Sequence, residues 1–374
     1  MGEIIKFKPK KKKTIYIALS LLLLTTLILL YINLAHSAYN KTLSLNRTSI
    51  MSLEDSSYSF GKAEGNIIVC GQEGLSAINR NGDIVWKYSY PMSNPIISTS
   101  GNYSLYADFG GKACHVVSRG KLVSSYESPY EIITAKVNDN GYYAVASKER
   151  GYKSQVVVFD RNGNKLFAWH STQYYVLDVA VTNDNSSLFV SALNTESEDS
   201  SISKVLYFSF RSDEPVILET GDNNLIASLC TSQTNVLAIG DFGMYAFDRN
   251  GKRIFVVNYE GRTLQEYSLG SGIIALGLTK GSVEGYYGGS VIEVYNMRGS
   301  LRGKYEIDDE VKFLDAEGNK ILVNSLDGAY ILSDTGRLYG NITYENDVRE
   351  GMIFDGGKKL MLVNGSNVNV YDAK

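Results

Sequence analysis

The chain has 374 residues, 44% hydrophobic and 21% charged, an ordinary globular balance with length for two average domains or one large all-β domain. Its net charge of −3 hides an asymmetry: residues 1–13 hold six lysines and one glutamate, leaving 31 basic against 39 acidic residues in the remainder, or −8. An acidic body excludes nucleic acid as a partner, because that binding needs a basic surface.

The first element is the Lys-rich tail, residues 1–13, followed by "TIYIALSLLLLTTLILLYINLA", Thr14 to Ala35, which carries no ionisable carboxylate, amine or imidazole. As a helix it would extend about 33 Å, enough for a hydrocarbon core of about 30 Å. The lysines before it predict a single transmembrane helix with a cytoplasmic N-terminus and everything after residue 36 outside the cytoplasm. Ala35-His36-Ser37 before Ala38 also fits a signal-peptide cleavage site. A usual signal h-region of about 7–15 residues is shorter than this run, so an uncleaved anchor is the better reading. The three cysteines, Cys70, Cys114 and Cys230, are an odd, widely spaced set and read as buried free thiols.

Gly is abundant (35), Tyr likewise (27) and Pro rare (5), a mixture suited to tight turns and aromatic strands. "VVVFDRNGNKLF" (156–167) and "MYAFDRNGKRIF" (244–255) repeat one motif. FDRNG reads as a type I turn with Gly in the left-handed region, a standard hairpin connection with a G1 bulge. A calcium loop would need more oxygen ligands than Asp160 and Asn162 supply. The unit recurs with turn glycines at Gly82, Gly120, Gly163, Gly251, Gly299 and Gly336, and in a glycine-less form near Asp213. Two further β-like runs precede each hairpin, as "EIITAKV" and "YYAVAS" precede "VVVFD". Four short strands every ~40–45 residues mark a β-propeller blade.

The expected fold is thus all-β, an eight-bladed propeller over residues 57–374 (seven being the alternative count) behind one N-terminal transmembrane helix. The last blade, 347–374, has three strands and lacks a fourth. Residues 43–53, within the linker 36–56, are placed to supply it and cover an unpaired edge.

Trp86, Phe167 and Phe255 each follow a turn glycine by four residues, while Ser124, Ile217, Gly303 and Gly340 stand at the corresponding places elsewhere. Strand, turn glycine, three residues and an aromatic resembles the repeat of quinoprotein-like propellers, in which the aromatic docks between blades. The arrangement as a whole also resembles an uncharacterised family of membrane-anchored propellers in Gram-positive bacteria. The enzymatic quinoprotein branch implies a quinone, a calcium ion and often a vicinal Cys pair. No cysteines are adjacent here and no Glu, Asn and Asp cluster matches the metal site. The resemblance therefore points to the non-enzymatic branch of envelope scaffolds and assembly factors, with no cofactor.

Other chemistry is sparse. His36 sits at the membrane edge, and His115 and His170 lie in blade strands without nucleophile or general-base motifs around them. "GSVEG" (281–285) is not a nucleophile elbow, and "GYYGGS" (285–290) follows no strand-to-helix turn. Asp308-Asp309-Glu310 reads as a solvated loop. The expected function is a non-catalytic binding or scaffold protein at the outer face of the membrane, engaging a protein or wall polymer. A propeller enzyme or glycan binder is the alternative. The candidate binding face collects the longer insertions and Tyr90, Tyr130, Tyr152, Tyr174, Tyr175, Tyr286 and Tyr287. Long loops concentrate function, and Tyr offers contact area at low entropic cost.

Overall fold

Asp160 and Asp248 open the two FDRNG turns. The Asp160 carboxylate accepts the backbone N–H groups of Asn162 and Asn164 at 2.8 and 2.9 Å, and Gly163 N–H donates to the Asp160 carbonyl at 3.0 Å. Asp248 makes the same bonds to Asn250 and Lys252, and Asn79 and Asn296 reproduce them with an amide oxygen. Gly163 and Gly251 take φ of 84° and 80°, and the strand register slips by one residue after each turn, as a G1 bulge requires. The SRGK turn differs: Arg119 (φ 50°) and Gly120 (φ 70°) are both left-handed, giving a two-residue type I′ turn instead. The glycine-less connection runs through 210–215, with Asp213 outside the described residues, and leads into an outer strand of only three residues, Val216–Leu218.

The computed structural model describes residues 2, 16, 19–30, 47–52, 58–194, 202–212, 214–221, 224–283, 286–326, 328–343 and 348–373. Its strands form eight four-stranded antiparallel sheets, the blades of a propeller. Seven are consecutive meanders: blades 1 to 7 span 59–89, 95–127, 132–171, 174–218, 226–258, 264–307 and 313–343. A two-stranded hairpin, Ser282–Val283 with Tyr286–Tyr287, interrupts blade 6 between its second and third strands.

Blade 8 combines both ends of the chain. Val348–Phe354, Lys359–Asn364 and Asn367–Asp372 are its first three strands, and Arg47–Ser52 is the fourth, antiparallel to Asn367–Asp372 with Arg47 opposite Tyr371. This is the closing strand expected within 43–53.

Middle strands are apolar nearly throughout, as in "NVLAIG" (235–240) and "IIALGLT" (273–279), because both of their faces are covered by neighbouring blades. Outer strands alternate, as in "KLFAWHS" (165–171), because one face meets solvent. The hydrophobic core is accordingly divided into eight clusters, one in each seam between blades. The seam that closes the ring packs Ile67 and Val69 of blade 1 against Phe354, Met361 and Val363 of blade 8.

The docking aromatics lie at these seams. Trp86 packs beneath Gly120 of the next blade, where an added Cβ would come within 2.8 Å of the Trp86 Cβ. Phe255 fills the same place beneath Gly299, and Phe167 meets Phe208 and Phe210 of blade 4 at centroid distances of 5.4 and 5.6 Å.

Residues 19–30 are helical, and Thr25 and Thr26 return their hydroxyls to the Leu22 carbonyl. Among the described residues no helix is long and apolar enough to cross a membrane; much of the expected span 14–35 lies outside them.

Two stability predictions follow from closure and docking. Deleting residues 47–52 opens the edge of Asn367–Asp372 and should cost about 3–6 kcal/mol, roughly one per backbone bond lost. An unchanged melting temperature would refute closure by this strand. Gly299→Ala places a Cβ 2.5 Å from the Phe255 ring at φ 78°. Chemical denaturation should show a loss of about 2 kcal/mol or more.

Candidate functional site

In a four-stranded meander the first-to-second and third-to-fourth turns share one end, and the second-to-third loops and interblade links share the other. The tight Gly turns occupy the first end, hereafter the turn face. The longer connections occupy the loop face.

Of the seven candidate tyrosines, the structure gathers three at one corner of the loop face. Tyr152 and Tyr175 are exposed, Tyr152 lies 5.4 Å from the His170 ring, and the Lys153 ammonium sits 5.3 Å above the Tyr175 ring. Tyr174 turns inward onto Trp169. Tyr90 is half-buried and covers a seam: its ring lies 4.0 Å from His115, which also bonds the Tyr88 hydroxyl at 2.7 Å. Tyr130 is half-buried in its link. Tyr286 and Tyr287 form one strand of the blade 6 hairpin, and their side chains lie outside the described set.

Four apolar side chains at the same end were not singled out from sequence. Phe109, Leu225, Phe242 and Leu326 are 41–62% exposed, each in a loop or link. With Tyr152 and Tyr175 they form an apolar arc over blades 2 to 5, continued at blade 7. Phe109, Phe242 and Leu326 each stand alone between polar or Gly neighbours, and Leu225 has one apolar neighbour, Ile226, so no period marked them. Asp308-Asp309-Glu310 is a solvent-facing loop whose first two carboxylates are also engaged. Asp308 pairs with Lys280 at 3.0 Å, and Asp309 accepts the Leu326 N–H at 2.7 Å.

First strands surround the axis, and their polar side chains meet there. Lys62 of blade 1 reaches Asp315 at 2.9 Å and Glu317 at 3.3 Å of blade 7, and the Ile353 carbonyl of blade 8 at 3.3 Å. Lys136 of blade 3 pairs with Asp178 of blade 4 and donates to the Leu229 carbonyl of blade 5 at 2.7 Å. Glu266 and Glu350 carry raised carboxyl pKa values. Burial is the main cause for both, reinforced by Glu350 for the first and by Asp315 for the second. Below them, at the turn face, a cavity of about 770 Å³ opens where Lys62, Thr231, Gln233, Thr234 and Ser271 present polar groups.

Carboxylates and lysines converge on the axis, and among the described residues no histidine joins them. His115 lies between blades 1 and 2, and His170 pairs with Glu149 at 2.5 Å on the loop face. Cys70 and Cys114 are buried, and burial pushes the Cys70 thiol up to about 11. Cys230 is only partly buried where full burial was expected, with its sulfur 3.7 Å from the Tyr267 hydroxyl. A first strand facing the axis has only one covered side.

The chain belongs to the family described as "Family of unknown function (DUF5711)", whose model matches residues 36–372. No curated protein matches it in sequence. Among solved structures it is similar to BamB from Moraxella catarrhalis (14% identity, 89% of this chain and 98% of that one, TM-score 0.54). It is similar also to Sqt1 of Saccharomyces cerevisiae (14%, 88% and 100%, TM-score 0.62) and to the C-terminal WD40 domain of Sif2 (11%, 90% and 100%, TM-score 0.65). At these identities the likeness establishes the propeller fold.

The channel carboxyls give a pH prediction. Glu350 holds its proton to higher pH when folded than when unfolded, so its contribution falls as pH rises from the ordinary value of about 4.3 through the raised one. Glu350→Gln should raise the melting temperature at neutral pH and leave it unchanged below about pH 4. A lower melting temperature at neutral pH would mean that the ionised carboxylate is structurally required.

Proposed function

We propose that this chain is a membrane-anchored, extracytoplasmic binding protein without catalysis of its own, which engages a protein partner through the loop face of its propeller. The observation that carries this reading is the exposed arc of Phe109, Tyr152, Tyr175, Leu225 and Phe242 on rigid blades. Large apolar groups standing in solvent on neighbouring loops are suited to fill pockets on another protein, and aromatic anchors supply most of the energy in such contacts. The anchor and the outside location rest on the Lys-rich tail beside the apolar run 14–35. Similarity to BamB, Sqt1 and Sif2 propellers is consistent with the reading and contributes only the fold.

A second reading, a glycan-binding or glycan-cleaving propeller, draws on the turn-face cavity. Its hydroxyl and amide groups above Lys62 and Glu317 suit a polyol.

Photo-crosslinking in intact cells separates the two. A photoreactive residue at Phe109, Tyr175 or Phe242 should capture a protein, while one at Asn162 or Asn250 should not. Tyr152→Ser combined with Phe242→Ser should reduce that capture about tenfold or more, as loss of an interface anchor does. Capture only from the turn face, or competition by soluble wall-glycan fragments alone, would favour the second reading.

A further inference from the structure

The turn face carries a pattern that the binding reading leaves unused. Each of the seven third-to-fourth turns holds an arginine: Arg80, Arg119, Arg161, Arg211, Arg249, Arg298 and Arg337. All seven are exposed. Apart from Arg249, which lies 3.6 Å from Asp184, none has an ion-pair partner among the described residues. Asp160 and Asp248 of the FDRNG turns offset two of them only in part, because their carboxylates also accept turn backbone N–H groups. Other carboxylates at this end are engaged elsewhere: Asp334 pairs with Arg302 at 2.8 Å, Asp83 accepts the Asn79 amide, Asp139 accepts from Ser100 and Asn183, and Glu64 accepts the Arg119 backbone N–H. The result is an outer basic ring on a body whose charge is acidic overall.

A second ring accompanies the first. Three to five residues after the arginine in blades 1 to 6, the first or second residue of the outer strand is Ile84, Leu122, Leu166, Val216, Ile254 or Leu301, each 43–55% exposed. Aliphatic groups beside arginines, repeated blade after blade at one end, are poorly served by water. At a bilayer surface the guanidinium groups meet phosphates and the aliphatics reach the acyl boundary.

The closing strand says which end faces a bilayer. Arg47–Ser52 runs antiparallel to Asn367–Asp372, so Arg47 lies at the turn face beside Tyr371. The chain therefore enters the propeller on this side. Residues 36–46 separate it from the apolar run and reach at most about 36 Å.

We infer that the turn face is a membrane-resting surface, whose arginine and aliphatic rings seat the propeller on anionic lipid headgroups and direct the loop face outward. The inference rests on the anchored reading above and adds orientation and lipid class to it. The full-length chain, reconstituted in phosphatidylcholine vesicles with or without phosphatidylglycerol, is labelled with phenylglyoxal and each arginine is quantified by mass spectrometry. Phosphatidylglycerol should slow labelling of the turn arginines about fivefold, the worth of one basic residue at an anionic surface. Arg150, exposed on the loop face, is the internal control and should be unaffected. Replacing Ile84, Leu122 and Leu301 by serine should weaken the protection without shifting the melting temperature. Equal labelling in both vesicles, equal protection of Arg150, or full protection by soluble inorganic phosphate over phosphatidylcholine would each overturn the inference. Flotation with pure phosphatidylcholine vesicles reports the anchor separately. A chain that fails to float but is still protected by phosphatidylglycerol refutes the anchor and retains the surface.

Discussion

A blade of this protein cannot bury its own apolar faces; only its neighbours can, and the ring is complete only when the last blade meets the first. Eight seams carry the core, and the seam between blades 8 and 1 is packed as fully as the others, with Ile67, Phe354 and Met361 all inaccessible to solvent. The other features of the fold follow from this closure. Outer strands need only one apolar face, first strands line an axis where polar side chains meet, and loops are left to the two ends. Donating the final strand from the N-terminal side joins the two ends of the chain in one sheet and removes the edge that an incomplete eighth blade would present.

Closure also determines how charge is handled. Polar groups on first strands point into a space shared by several blades, so their partners come from elsewhere in the sequence. Lys62 and Asp315 are 253 residues apart in the chain and meet at 2.9 Å, while the same ammonium also reaches blade 8. Such pairs are weak evidence for stability, because desolvation offsets much of the attraction. Their geometry is better understood as register: a lysine tied to two other blades favours one arrangement around the closing seam. Glu293 shows the same logic between blades 5 and 6. Burial alone would raise its carboxyl pKa, but hydrogen bonds from Arg262, Lys304 and Tyr295 hold it below the ordinary value.

What the sequence made legible was local. The FDRNG turns, their bulges and the four-strand period all depend on residues within a few positions of one another. The closing strand was legible for a different reason, since a blade one strand short at the C-terminus has to be completed from the other end. The binding candidates were less legible. Tyr90 lies in a link and Tyr174 opens a first strand, yet they cover His115 and Trp169, because both stand where the chain crosses the end of a hydrophobic seam. Phe109 and Phe242 do stand in solvent, but a single aromatic in a loop has no periodicity to betray it. The channel pairs could not be read at all, since neither partner has a local signature.

The docking position shows how a partial sequence pattern can conceal a complete geometric one. Four residues after the turn glycine, only three blades have an aromatic, and the resemblance to the quinoprotein repeat looks incomplete on that count. In the folded ring Trp86, Ser124, Phe255 and Gly303 at this position all meet the next blade's turn glycine, while Phe167 meets the glycine-less turn through Phe208 and Phe210, and Gly251 rests on Tyr207 instead. Ser124 places its hydroxyl 2.6 Å from where a Gly163 Cβ would stand, and at Gly303 an added Cβ would come within 1.9 Å of the Thr335 carbonyl beside Gly336. The conserved element of the contact is therefore the space at the turn, not the side chain that enters it. A small residue lets the next turn approach as backbone, and a large one holds it off at the width of a ring. Turn chemistry and interblade packing thus constrain the same glycine, one through φ and the other through volume. That double constraint explains why turn glycines are repeated around the ring more faithfully than the aromatics that dock beneath them.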